Sequence, residues 1–135
     1  MIEKLKLLLN NSYSPYSNYK VSAIVVMNDG REFCGVNVEN ASYGASICAE
    51  RSAILSAISN GYKKGDFKEL NLMVSSGKIS LPCFQCRQVI SELFNDDCII
   101  HCYSIDGMVK DFTVSSLCPY PFGSEDLKWN VVLLV

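Results

Sequence analysis

Two segments decide the fold and, with it, the chemistry: "ASICAERSAILSAI" at residues 45–58 and "LPCFQCRQVISELF" at 81–94. In each, a cysteine stands at the head of a run of small and apolar residues long enough for a helix. Glu50 follows Cys48 by two residues, and a Cys-x-x-Cys pair, Cys83 and Cys86, opens the second run just after Pro82. Proline favours helix starts. Both segments therefore read as core helices, over 46–60 and 83–95, with Asn60-Gly61 closing the first.

The remaining segments arrange themselves around these two helices. Ile2, Leu5, Leu8 and Leu9 share one face at helical spacing, which predicts a short amphipathic helix over 2–10. After the turn-rich "NSYSPYSN", the segment "YKVSAIVVM" (19–27) reads as a buried strand, and Asn28-Asp29-Gly30 is a hairpin signal. "REFCGVNVEN" (31–40) returns as the second strand and "ELNLMVSS" (69–76) is the third. "CIIHCYSI" (98–105) and "MVKDFTV" (108–114), joined by a turn at Asp106-Gly107, are the last two. The order α-β-β-α-β-α-β-β puts helix-linked strands in the middle, which implies parallel pairing, and hairpins at both ends, which implies antiparallel pairing. The expected class is α/β, a three-layer α/β/α sandwich around a mixed five-stranded sheet. The tail "KWNVVLLV" (128–135) is apolar and suits a strand, a short helix or an interface patch.

The 135 residues suffice for one domain, spanning 1–135, and no shift in composition suggests a second. The chain is 49% hydrophobic, enough for a sizeable core, and carries a formal net charge of −2. That balance lacks the basic footprint of a nucleic-acid binder. Lys63-Lys64, the one adjacent basic pair, reads as a solvated connector. No window is long and apolar enough to span a membrane, and the N-terminal segment lacks a signal-peptide cleavage pattern. Seven cysteines, an odd number, point to a reduced, cytoplasmic chain. In that setting a Cys-x-x-Cys pair binds metal or does redox work more often than it staples loops.

Cys83 and Cys86 at a helix start fall on one face, where free N–H groups and the helix dipole favour thiolates. Cys48 occupies the corresponding place on the other helix. Two helix N-termini aimed at one spot would gather three sulfurs around a tetrahedral metal, and three ligands plus an open position is the catalytic zinc pattern. Glu50 sits near such a site without having to bind it, as a general base and then acid requires. Three thiolates give a zinc site one net negative charge, which Arg51 and Arg87, each following a ligand cysteine, would offset by donating to the sulfurs. His101, within "CIIHCY", reads as a core or edge-strand imidazole, and Cys34, Cys98, Cys102 and Cys118 as small buried hydrophobes.

"NVENASYGASICAERSA" followed by "PCFQCRQV" strongly resembles the cytidine deaminases of the small, homotetrameric, three-cysteine type, and the likeness runs from about Tyr13 to Leu127. The resemblance implies one zinc per chain on Cys48, Cys83 and Cys86, with zinc-bound hydroxide attacking C4 of cytosine and Glu50 shuttling protons. That mechanism is general to zinc nucleobase deaminases and is carried over from the class rather than deduced from this chain. The resemblance further implies that Asn37 and Glu39 bind the ribose, a pairing that period-2 alternation in "GVNVEN" also allows. The Ala49 backbone would meet the pyrimidine carbonyl, and Tyr19 holds a position usually occupied by phenylalanine. Ala41, Tyr43 and Phe122 would reach a neighbouring subunit's site, with Phe122 covering the base. The implied function is deamination of cytidine and deoxycytidine in pyrimidine salvage, by a homotetramer that takes a free nucleoside and neither nucleic acid nor membrane.

Three positions depart from the family pattern: Phe84 for a glycine, Ser22 for a glycine and Leu81 for a serine. None is a ligand, so rate and affinity are in question more than reaction type. Phe84 would narrow the pocket or point into an adjoining subunit. Four other functions compete. A deaminase of a cytosine-bearing antibiotic would not need the Asn37/Glu39 pair. A polynucleotide editor commonly carries His-x-Glu and needs a basic track. A catalytically dead assembly module would not need Glu50, and a thiol–disulfide oxidoreductase would not need Cys48.

Overall fold

The computed structural model describes residues 1–128, and the apolar tail at 129–135, with the three expectations for it, lies outside them. The hairpin signal at Asn28-Asp29-Gly30 joins strand β1 (Val21–Met27) to β2 (Glu32–Val36) in an antiparallel pair, and Gly30 takes the left-handed conformation the turn needs, with φ +89°. β3 is Phe67–Val74, β4 Ile99–Tyr103 and β5 Val109–Thr113. The five strands lie in the order β2-β1-β3-β4-β5. β3 and β4 are parallel and the other neighbours antiparallel, so the sheet is mixed as expected.

Helix α1 is Ile2–Leu9, α2 Ala49–Ser59 and α3 Phe84–Leu93. α1 lies on one face of the sheet, where Leu5 and Leu9 pack on Ile24 and Met73. On the other face Ala53, Ile54 and Ala57 of α2 and Ile90 of α3 pack on Ala23, Val25, Leu70, Leu72 and Ile100. These are the three expected layers.

The topology itself aims α2 and α3 at one place. β2 and β3 both run antiparallel to the β1 strand between them, so they run parallel to each other, with α2 as their crossover. α3 is likewise the crossover from β3 to its parallel neighbour β4. Crossovers in one direction over strands of one sense put both helices on the same face and start both at the carboxyl ends of the strands, where α/β folds form their clefts. Gly35 lets α2 approach closely. A Cβ there would lie 2.5 Å from the Ala49 carbonyl oxygen and nearer still to the Ala53 nitrogen, so only glycine leaves room for the helix's first turns on β2.

Several expectations need correction. The second strand ends at Val36 instead of Asn40, because the Asn37 side chain takes over the backbone partners: its Nδ2 donates to the Tyr19 carbonyl at 2.7 Å and its Oδ1 accepts from the Val21 N–H at 2.9 Å. Val38 then forms isolated bridges to Tyr13 and Ile47. α2 begins at Ala49 rather than residue 46, with the preceding chain folded into a 3-10 turn at Tyr43–Ala45. A short helix α4, Val114–Leu117, follows β5 and is capped by Thr113 Oγ1, which accepts from the Ser116 N–H at 3.2 Å. Cys34 is exposed on the edge strand β2 rather than buried. Ser22 is fully buried, and its hydroxyl donates to the Leu5 carbonyl at 2.9 Å, tying α1 to the sheet.

Candidate active site

Cys48 and Cys83 are the N-cap residues of α2 and α3, both in extended backbone, and Cys86 lies one turn into α3. Cys48 Sγ is 3.7 Å from Cys83 Sγ, Cys83 Sγ is 3.6 Å from Cys86 Sγ, and all three sulfurs fall within 4.8 Å of one another. Cys86 is buried, Cys48 half-buried and Cys83 open to the cleft. Thiols this close cannot all ionise without a cation, because like charges at such distances repel. The proton they share, with Arg51 beside them, brings Cys48 down to about 5, and the same sharing together with burial pushes Cys86 up. A soft, tetrahedral ion resolves the conflict, and an all-sulfur donor set at helix N-termini suits zinc.

Arg51 lies beside the sulfurs. Its Nη2 donates to Cys48 Sγ at 3.4 Å and to Gln85 Oε1 at 3.2 Å. Its Nε is buried without a hydrogen-bond partner among the described residues, which leaves a further cationic donor beside the sulfurs. Arg87 does not follow. Its Nε donates to the Pro82 carbonyl at 2.8 Å and its Nη1 to the Leu117 carbonyl at 3.2 Å, while the guanidinium lies over the Phe84 ring at 4.4 Å. The stacking and the two carbonyls draw it away from the sulfurs, so it braces the peptide that leads into Cys83.

A cleft of about 410 Å³ opens beside the sulfurs, lined by Cys48, Cys83, Ala49, Glu50, Arg51, Asn37, Glu39, Tyr19 and Tyr43. Glu50 is only 4% exposed, and burial raises its carboxyl to about 7. Glu39 accepts from the backbone N–H groups of Tyr16 and Ser17 at 3.0 and 3.1 Å and from the Ser17 hydroxyl, which chiefly holds its pKa down. Asn37 and Glu39 thus both face the cleft although the strand stops before them. Ala41 is exposed on the loop before the 3-10 turn. Phe122 lies on a neighbouring groove with Phe84 and Arg87, its carbonyl accepting from Gln88 Nε2 at 2.7 Å. Phe84 therefore turns away from the cleft and does not narrow it. The sequence reading missed Gln85 and Ser80 on the cleft wall. Gln85 had a signal, being inside the Cys-x-x-Cys pair, but Ser80 had none.

Residues 1–102, which include all three cysteines and Glu50, match the cytidine and deoxycytidylate deaminase zinc-binding region. The chain belongs to the cytidine deaminase family. It is 38% identical over 116 residues to the cytidine deaminase of Halalkalibacterium halodurans, covering 86% of each chain. It is 34% identical over 129 residues to that of Sporosarcina psychrophila, covering 96% of this chain and 93% of the relative. Among solved structures, cytidine deaminase from Burkholderia pseudomallei superimposes with a TM-score of 0.86 at 40% identity, over 90% of this chain and 95% of the other. Membership makes this chain a zinc-binding deaminase, and the three-cysteine cluster is where its donor set fits that ion. Among the described residues, no helix is long and apolar enough to cross a membrane.

Proposed function

We propose that the chain hydrolyses cytidine and deoxycytidine to uridine and deoxyuridine with release of ammonia, as a step of pyrimidine salvage in the cytoplasm. One observation carries this reading. Glu50, almost fully buried, stands two residues after a cysteine of the sulfur cluster and faces a cleft that also presents Asn37 and Glu39.

A zinc ion held by Cys48, Cys83 and Cys86 supplies, when bound, a Lewis acid that makes water nucleophilic near neutral pH. Glu50 takes the proton released as the C4–O bond forms and delivers it to N3 of the ring. It then takes the second proton from the C4 hydroxyl and hands it to the departing amine, so that the C4–N bond breaks and ammonia leaves. Arg51 and the free N–H groups in the first turns of α2 and α3 offset the charge of the thiolates. The Ala49 N–H, at the first position of α2, donates to the pyrimidine carbonyl. Asn37 and Glu39 receive the ribose hydroxyls, and Tyr19 packs against the base. Arg87 acts on the site only through the Pro82 carbonyl.

Ala41, Tyr43 and Phe122 complete the site of a neighbouring subunit in a homotetramer, with Phe122 covering the base there. In keeping with this, Tyr43 and Phe122 are 77% and 56% exposed and so are accessible to a neighbouring subunit. Light scattering tests the tetramer. Phe122→Ala is expected to raise KM for cytidine, and an unchanged KM would remove Phe122 from the site.

The deciding experiment pairs zinc analysis with the ultraviolet absorbance of cytidine on mixing, for wild type and Glu50→Ala. Equal zinc in both proteins, with loss of the cytidine band in the wild type alone, is the expected result. Zinc without turnover in either would overturn the substrate. Loss of zinc from Glu50→Ala would make Glu50 structural. A metal-free protein with a reversible Cys83–Cys86 disulfide would restore the redox reading.

A further inference from the structure

We propose that Ser80, oriented by Tyr19, is a substrate-contacting residue that donates a hydrogen bond to an uncharged oxygen or nitrogen acceptor of the nucleoside; the inference rests on the function proposed above. Ser80 lies in the segment between β3 and α3, three residues before Cys83, and lines the cleft opposite the loop that carries Tyr19. The Tyr19 hydroxyl donates to Ser80 Oγ at 2.8 Å. Tyr19 is itself held at its backbone: its N–H donates to Ser17 Oγ at 3.0 Å, and its carbonyl accepts from Asn37 Nδ2 at 2.7 Å.

The proton count of this pair is what matters. Two hydroxyls carry two protons, and one bond between them uses one. Whichever oxygen donates, one O–H remains, on one of two residues that both line the cleft. The neighbouring polar groups are differently placed. Asn37 Oδ1 accepts from the Val21 N–H at 2.9 Å, and Glu39 accepts from two backbone N–H groups and the Ser17 hydroxyl. Their hydrogen bonds go largely to their own chain, and Glu39 offers no proton. Ser80 contributes a neutral donor that Tyr19 has already turned, so little rotational freedom is lost when a ligand accepts from it. The pair is open to solvent from the cleft, with Tyr19 41% exposed, so the remaining O–H is accessible to an incoming ligand, and a pyrimidine nucleoside brings several acceptors to the cleft.

The test measures KM and kcat for cytidine, together with Kd for uridine by calorimetry, in Ser80→Ala, Tyr19→Phe, the double variant and Ser80→Thr. Ser80→Ala is expected to raise KM and the uridine Kd roughly three- to ten-fold, the worth of one net hydrogen bond, with kcat changed less than about two-fold. Tyr19→Phe should give a smaller rise, and the double variant should be no worse than Ser80→Ala, because the two hydroxyls act as one unit. Ser80→Thr, which keeps the hydroxyl, should restore affinity. Unchanged KM and Kd in Ser80→Ala, with a lowered melting temperature, would reduce the pair to a structural strap and overturn the proposal. A wild type that binds uridine but leaves cytidine intact would overturn the proposed function alone, with the uridine Kd still deciding on Ser80. A wild type that does neither would overturn both.

Discussion

The two faces of the sheet treat titratable side chains in opposite ways. On the face carrying α2 and α3, the strands present a mainly apolar surface, with Lys110 of the edge strand β5 beside Cys102, and Glu50, on the helix above them, is buried beside sulfur and an open cleft. On the face carrying α1, the apolar patch around Ile24 and Met73 gives way to His101, Glu69, Asn71, Tyr103 and Asp111. There the imidazole is matched on both sides: Nδ1 meets Asp111 Oδ1 at 2.7 Å and Nε2 meets Glu69 Oε2 at 2.9 Å. Both imidazole nitrogens are thus satisfied by carboxylates of neighbouring strands, on the side of the sheet away from the cleft. A carboxylate kept out of water and facing a cleft costs stability, and a role in the chemistry of the cleft is a reason to keep it there. The difference lies in the partners, since both groups are largely removed from solvent.

That contrast is most exposed at Glu50. Glu50→Gln is expected to lower kcat by about 10²- to 10⁴-fold while the urea midpoint stays equal or rises, because a buried carboxylate becomes a neutral amide of the same shape. If Glu50→Gln instead unfolds at clearly lower urea, the two faces follow one rule and the distinction collapses. Next in size is Gly35→Ala, which acts on the crossover face through packing alone. An added methyl group would press on the Ala49 carbonyl and the Ala53 nitrogen, so α2 must lift. We expect a loss of about 1–3 kcal/mol in unfolding free energy, with lower zinc content because Cys48 moves with the helix. Unaltered zinc and stability would mean that the helix start is not fixed by this contact.

The crossover face was also the more legible one in the sequence, for a physical reason. Helix caps, Cys-x-x-Cys spacing and hairpin turns are local, so Cys48, Glu50, Cys83 and Cys86 were placed before any packing was known. Strand alternation likewise put Asn37 and Glu39 on one face, and both line the cleft even though the ladder stops at Val36. What failed was long-range. Arg87 was expected to reach the sulfurs, yet its direction is set by Phe84 and by the Leu117 carbonyl, thirty residues away. Ser80 meets Tyr19 across sixty-one residues, and no local pattern encodes that meeting. The Cys34 expectation missed because hydrophobic character alone does not say that β2 is an edge strand.

The smallest effect belongs to the α1 face and is expected in stability, not in activity. Burial alone would lower the His101 pKa, but Asp111 and Glu69 outweigh it and hold the value above the usual 6.5. A pKa raised by folding adds stability that is complete below the unfolded value and is lost as pH climbs through the folded one. The gap in unfolding free energy between wild type and His101→Gln should therefore be largest near about pH 6 and shrink toward about pH 9. Its size should be about 0.5–1 kcal/mol, since Asp111 is 55% exposed and water screens that half of the cluster. Glutamine keeps hydrogen-bonding capacity without charge, so the experiment isolates the protonated imidazole. Turnover should not change, because the sheet separates His101 from the cleft. A gap that grows with pH would mean that neutral histidine is the stabilising form. A loss of turnover would mean that the two faces communicate through β3, whose side chains alternate between them.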